Sequence, residues 1–205
     1  MTAISRASPN GLAESARESA RESARVTRQT NKAPNCIVLV GLPGAGKSTV
    51  GPLVAARLDW AFVDLDVEIA REAGRSVTEI FATQGEATFR RLEREATQRL
   101  AGSQGLVLAT GGGWMLDPAN AAVLGSGVCT VYLRVSPDVA LGRMADNATT
   151  RPLLATSDPL GALHGLLEAR ESTYLQANHT LVVESMAPDL VADTIVALVS
   201  SQEPH

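Results

Sequence analysis

From residue 36 the chain alternates short apolar runs with longer stretches of helical period. CIVLV (36–40), AFVDLD (61–66), LVLAT (106–110), CTVYLRV (129–135) and HTLVVES (179–185) have the length and composition of strands. Helical patterns fill the spaces between them, over 47–58, 67–73, 76–83, 86–101, 118–124, 137–145, 160–176 and 188–200. Strands that read as continuous apolar runs are buried on both faces, and their alternation with helices predicts an α/β protein with a parallel sheet between two helical layers. Ligands of such sheets sit outside the carboxyl ends of the strands. The polar stretch NATTRPLLATSD (147–158), broken by Pro152, is predicted to be a loop.

The first 33 residues do not join this pattern. Residues 14–25 read ESARESARESAR, a four-residue unit repeated with no large apolar side chain, so it has nothing to pack onto a core. An extension of disordered type is expected for 1–33, with a single domain over 34–205. A transit peptide is the alternative for the tail, which is rich in Arg and Ser, but its three glutamates count against it.

Composition narrows the classes. The tail carries six Lys/Arg and three Glu, and the rest of the chain twelve Lys/Arg and 19 Asp/Glu, so the body is acidic. A broad nucleic-acid surface is therefore not expected. Neither a membrane span nor a secretory signal is visible, which predicts a cytoplasmic protein. Aromatics make up only 3%, so the core must be aliphatic. Cys36 and Cys129 both lie in apolar runs and read as buried free thiols, not as a disulfide or a metal pair.

The strongest chemical signal is GLPGAGKST (41–49), which matches G-x-x-x-x-G-K-[ST] between a strand and a helix. Gly44, Ala45 and Gly46 offer backbone N–H groups to an anion, and the helix N-terminus adds its partial positive charge. Lys47 reaches the terminal phosphates of a nucleotide, and the Ser48 hydroxyl suits magnesium; Thr49 completes the motif. This establishes a nucleoside triphosphate site but not the kind of protein that uses it.

Several further features would face such a site. Asp64 and Asp66 stand at i and i+2 at the end of the second apolar run. On a strand they point to one side and can serve a metal and a substrate hydroxyl; the same pair also suits a helix N-cap and a first-turn charge. TFRRLERE (88–95) is helical, and one of its arginines can turn into the cleft to grip a carboxylate while the others stay solvated. Gly111, Gly112 and Gly113 follow the third strand, where a flat substrate would be blocked by any Cβ. Arg151 lies in the polar loop and Arg170 on the next helix, four residues before Tyr174.

Taken together, GLPGAGKST, DLD (64–66), FRRLE (89–93), GGG (111–113), RPLL (151–154) and the R-x-x-x-Y of RESTY (170–174) resemble the shikimate kinase family, over residues 35–200. The resemblance implies a five-stranded parallel sheet of order 2-3-1-4-5 in a three-layer P-loop kinase fold. It implies ATP-dependent phosphorylation of the 3-hydroxyl of shikimate, on the route to chorismate and the aromatic amino acids, with ATP and Mg²⁺; a monomer is expected. It assigns Lys47 to the transferred phosphoryl group and Ser48 and Asp64 to magnesium. Asp66 goes to the shikimate hydroxyls, Arg90 and Arg170 to its carboxylate, and Gly112 and Gly113 to the floor beneath its ring. Arg151 becomes an ATP-contacting residue of a lid over 147–158, and 67–101 the shikimate-binding region. Two features depart from the family pattern: the long N-terminal extension, and Trp114 where a smaller residue is commoner. A gluconate kinase would share the phosphate loop without needing FRRLE, GGG and RPLL together. A switch GTPase would need an N-K-x-D-like motif, which this chain lacks.

Overall fold

Five apolar runs become five strands: β1 (Cys36–Val40), β2 (Ala61–Asp64), β3 (Leu106–Ala109), β4 (Val128–Arg134) and β5 (His179–Val182). The computed structural model describes residues 34–145 and 157–200, all within one unit, Ala33–Ser201. The expected N-terminal extension, Arg151 and all but the last two residues of the expected lid lie outside the described residues.

All four strand pairings are parallel, in the order β2-β3-β1-β4-β5 expected from the resemblance. β1 is central and fully buried, with Ile37 level with Val107 of β3 and Cys129 of β4. Successive side chains alternate between two cores. Ile37, Leu39, Val131 and Leu133 enter one, while Val38, Val40, Leu108 and Tyr132 enter the other. Helices α1 (Lys47–Leu58) and α7 (Pro188–Ser200) cover the first core through Val54, Val191 and Ile195. Helices α2 (Leu65–Ala73) and α3 (Val77–Arg99) cover the second through Leu65, Ile69, Ile80 and Phe89. The remaining helices are α4 (Pro118–Leu124), α5 (Pro137–Ala145) and α6 (Pro159–Tyr174). None of the described helices is long and apolar enough to cross a membrane.

Cys36 and Cys129 belong to opposite cores and remain free thiols. Burial pushes the Cys36 thiol up to about 12 and that of Cys129 to about 11, so both stay protonated.

Two local expectations need correction. The second strand stops at Asp64, and Leu65 already begins α2. Asp64 and Asp66 are therefore not neighbours on one face of a strand. Asp64 is the N-cap of α2 and its carboxylate accepts from the amides of Asp66 and Val67, which draws the chain into a helix two residues early. The fifth strand ends at Val182, three residues short of the expected Ser185. The two helices expected over 76–83 and 86–101 run on from one another but are separated by non-helical backbone at Gly85, whose φ of 77° only glycine adopts readily. Ser76 and Glu79 close a reciprocal capping box at the start of α3.

Candidate functional site

The carboxyl ends of β1, β2 and β3 open onto one cavity of about 970 Å³. Every site residue anticipated from sequence and lying among the described residues lines it: Gly44, Ala45, Gly46, Lys47, Ser48, Thr49, Asp64, Asp66, Arg90, Gly112, Gly113 and Arg170. Arg151 lies outside the described residues.

At the β1 end the chain turns through left-handed conformations at Gly44 (φ 83°) and Gly46 (φ 97°), the latter being the N-cap of α1. A Cβ on Gly44 would also strike the carbonyl of Ala140, so space as well as backbone angle demands glycine there. Nζ of Lys47 donates to the carbonyls of Gly41 and Leu42, both at 2.9 Å, which lays its side chain along the inside of the loop. The Ser48 hydroxyl donates to Asp64 Oδ2 at 2.5 Å, while Oδ1 of the same carboxylate caps α2. Asp64 thus ties the mouth of the phosphate loop to the helix that carries Asp66. These hard oxygen donors suit magnesium, which is commonly held by one or two side chains and completed by phosphate oxygens. No group of three or more His, Cys, Asp or Glu placed to hold a metal ion occurs among the described residues.

At the β3 end lie the three glycines, none with a positive φ. Space, not backbone angle, requires them. A Cβ on Gly111 would come within 2.9 Å of Asp66 Oδ1 and 3.2 Å of Glu93 Oε1, and one on Gly112 within 2.9 Å of Arg170 Nη1. One on Gly113 would fall on the Arg90 guanidinium. The glycines therefore make room for the tips of Asp66 from α2, Arg90 and Glu93 from α3, and Arg170 from α6. Two arginine forks and a carboxylate converge over a patch of bare backbone, a geometry able to hold a small hydroxy acid by its carboxylate and a hydroxyl.

Arg90 is braced from its own helix. Nη1 donates to Glu93 Oε2 at 2.8 Å and Nη2 to Glu86 Oε1 at 2.9 Å. Glu93 is only 1% exposed. Burial pushes its carboxyl above the usual range, the Arg90 guanidinium opposes this, and the nearby charge of Asp66 adds to the rise. The other arginines of TFRRLERE are surface residues paired outward, Arg91 with Glu95 and Arg94 with Asp117. Phe81 and Phe89, on either side of the break at Gly85, pack with ring centroids 4.7 Å apart and wall the same cavity.

The roles of several contributors were not apparent in the sequence. Arg143 on α5 donates to the carbonyls of Val183 and Glu184 and lines the cavity beyond the phosphate loop, with Met186 and Pro188. Glu93 looked like one more charge on a solvated helix. Tyr174, 1% exposed, donates its hydroxyl to the Gly112 carbonyl, and burial raises its phenol so that it remains a donor. Trp114, by contrast, does not enter the site. It is fully buried in the second core and its indole N–H donates to Thr97 Oγ1 at 3.0 Å.

The chain matches the family model for shikimate kinase over residues 43–200. It is 41% identical over 170 residues to a shikimate kinase from Synechococcus sp. (strain CC9605), covering 82% of this chain and 85% of that one. It is 47% identical over 142 residues to a shikimate kinase from Synechococcus sp. (strain RCC307), covering 69% and 72%. Among solved structures, the shikimate kinase from Acinetobacter baumannii in complex with shikimate superposes with a TM-score of 0.78 at 35% identity, over 84% of this chain and 96% of that one. With a phosphate loop and two arginines over bare glycines in one cavity, and with relatives that match most of its length, the chain belongs to the shikimate kinase family.

Proposed function

We propose that the protein transfers the terminal phosphoryl group of ATP to the 3-hydroxyl of shikimate, giving shikimate 3-phosphate and ADP on the route to chorismate and the aromatic amino acids. The observation that carries this reading is the convergence of Asp66, Arg90 and Arg170 over Gly111–Gly113, in the same cavity as the phosphate loop. Arg90 and Arg170 hold the acceptor's carboxylate, and its ring lies against Gly112 and Gly113. Asp66 accepts a hydrogen bond from the reacting hydroxyl and takes its proton as the new O–P bond forms. Amides of Gly44, Ala45 and Gly46 surround the phosphates, with Thr49 beside them, and Lys47 turns from its loop carbonyls to the group in transfer. Ser48 and Asp64 hold magnesium, which neutralises charge on the phosphates. The nucleotide base takes the end of the cavity lined by Arg143, Met186 and Pro188. Such transfer rests on positioning and electrostatics more than on covalent chemistry, which suits a site built mainly of braced cations.

The family resemblance further assigns Arg151 to the ATP phosphates and residues 147–158 to a lid, with 67–101 as the acceptor-binding region. In this reading the protein works in the cytoplasm, and as a monomer, since both ends of the site come from one chain. Release of ADP from ATP by the purified protein tests it. Shikimate should stimulate release strongly and gluconate should not. Equal release with gluconate or without acceptor would overturn the assignment, and a preference for GTP without acceptor turnover would favour a nucleotide switch.

A further inference from the structure

Each glycine of the acceptor loop has a carbonyl that needs a donor. Gly111 O accepts from Trp114 N and Gly113 O from Leu116 N, both at 3.1 Å, within the turn that follows. Gly112 O has the Tyr174 hydroxyl instead, from 62 residues further along the chain. The ends of the loop are fastened separately. Thr110 Oγ1 donates to Leu39 O at 3.1 Å at its entry, and the buried Trp114 holds its exit to Thr97 on α3. The middle of the loop is thereby referred to α6.

Tyr174 lies one helical turn beyond Arg170, so the two side chains leave α6 on the same side. A Cβ on Gly112 would be 2.9 Å from Arg170 Nη1 and 3.3 Å from Tyr174 Oη, so loop, guanidinium and hydroxyl meet at one point. The ring is immobilised in turn against Tyr132, with centroids 5.0 Å apart. We infer that Tyr174 is a positioning residue for the acceptor: its hydroxyl fixes Gly112 relative to α6, so that the loop and the Arg170 guanidinium meet the acceptor's carboxylate as one preset unit. The inference rests on the reading of this end of the cavity as the acceptor site. A cation and a glycine platform whose separation is preset lose little freedom when the acid binds.

The test is Tyr174→Phe, which keeps the ring and removes the hydroxyl. The loss of one buried hydrogen bond should raise the acceptor KM by about tenfold. The KM for ATP and kcat should change little, the pattern of an interaction made equally in ground and transition states. Tyr132→Phe removes a hydroxyl from the neighbouring ring while leaving the bond to Gly112 in place, and should alter neither KM. An unchanged acceptor KM, an equal rise in both KM values, the same effect from Tyr132→Phe, or loss of a cooperative melt in Tyr174→Phe would each overturn the inference. Wild-type protein assayed alongside separates the two levels: absence of shikimate-dependent turnover there removes the proposed function itself, whereas normal wild-type turnover with an unaltered Tyr174→Phe removes only the role of Tyr174.

Discussion

A methyl group at residue 113 would fall on the guanidinium of Arg90, and what it strikes decides the consequence. The obstacle is the far end of a long side chain, not backbone, so the fold can accept the methyl by letting the arginine move. Gly113 has a φ of −106°, which alanine adopts without strain. Gly113→Ala should therefore melt near the wild-type temperature yet bind the acceptor poorly, because Arg90 is pushed off the carboxylate. A charge-assisted hydrogen bond is worth ~1.5–3 kcal/mol, so the acceptor KM should rise by about tenfold or more while the KM for ATP stays put. Steady-state kinetics with each substrate varied in turn would check this, and an unaltered acceptor KM would show that Arg90 does not grip the acid. The buried Glu93 gives the same logic from the other side. A carboxylate this deeply buried is costly unless paired, and its partner is the arginine whose placement the site needs.

Among the elements, α2 carries a double duty in its first residues. One oxygen of Asp64 caps the helix and the other takes the Ser48 hydroxyl. Asparagine keeps an acceptor for the cap and loses the negative charge, whereas alanine loses both. Asp64→Asn should hold its melting temperature and require more magnesium for half-maximal activity. Asp64→Ala should show the same magnesium defect and in addition lose about 1 kcal/mol of stability, the usual worth of an N-cap. Chemical denaturation and magnesium titrations of the two variants would separate these roles; a wild-type magnesium requirement in both would take Asp64 out of the metal site. This cap also explains what the sequence could not reveal. The parallel sheet and the alternation of helices were legible because a doubly covered parallel strand such as CIVLV is apolar throughout, whereas the strand order came only from the family resemblance. AFVDLD looks the same whether the strand runs to Asp66 or gives way after Asp64, because a side chain bonding forward to two amides leaves no mark in hydrophobic periodicity. The phosphate loop was legible because its chemistry is local. The roles of Glu93, Arg143 and Tyr174 were not, since each depends on partners fixed by packing: a burial depth, two carbonyls after β5, and a glycine 62 residues away.

For the molecule as a whole, the proposed function divides one cavity into a phosphate end and an acceptor end. The phosphate end is built on β1 and α1, and the acceptor end on α2, α3, the loop after β3, and α6. β1 and β3 are hydrogen-bonded neighbours, so the two ends are adjacent but rest on different side chains. Binding at either end should stabilise the folded protein by mass action, about 2.7 kcal/mol for a ligand at 100 times its Kd. The two contributions should be separable by mutation. Arg90→Ala should lose the rise in melting temperature caused by shikimate and retain the rise caused by a magnesium complex of a non-hydrolysable ATP analogue. Lys47→Met should show the reverse and lose turnover while remaining folded, since Lys47 lines the cavity and belongs to neither core. Thermal melts of both variants with each ligand form a four-way comparison. If either variant lost its response to both ligands, the two ends would not be separate sites but one site that collapses as a unit, and the division of labour between glycine platform and phosphate loop would have to be abandoned.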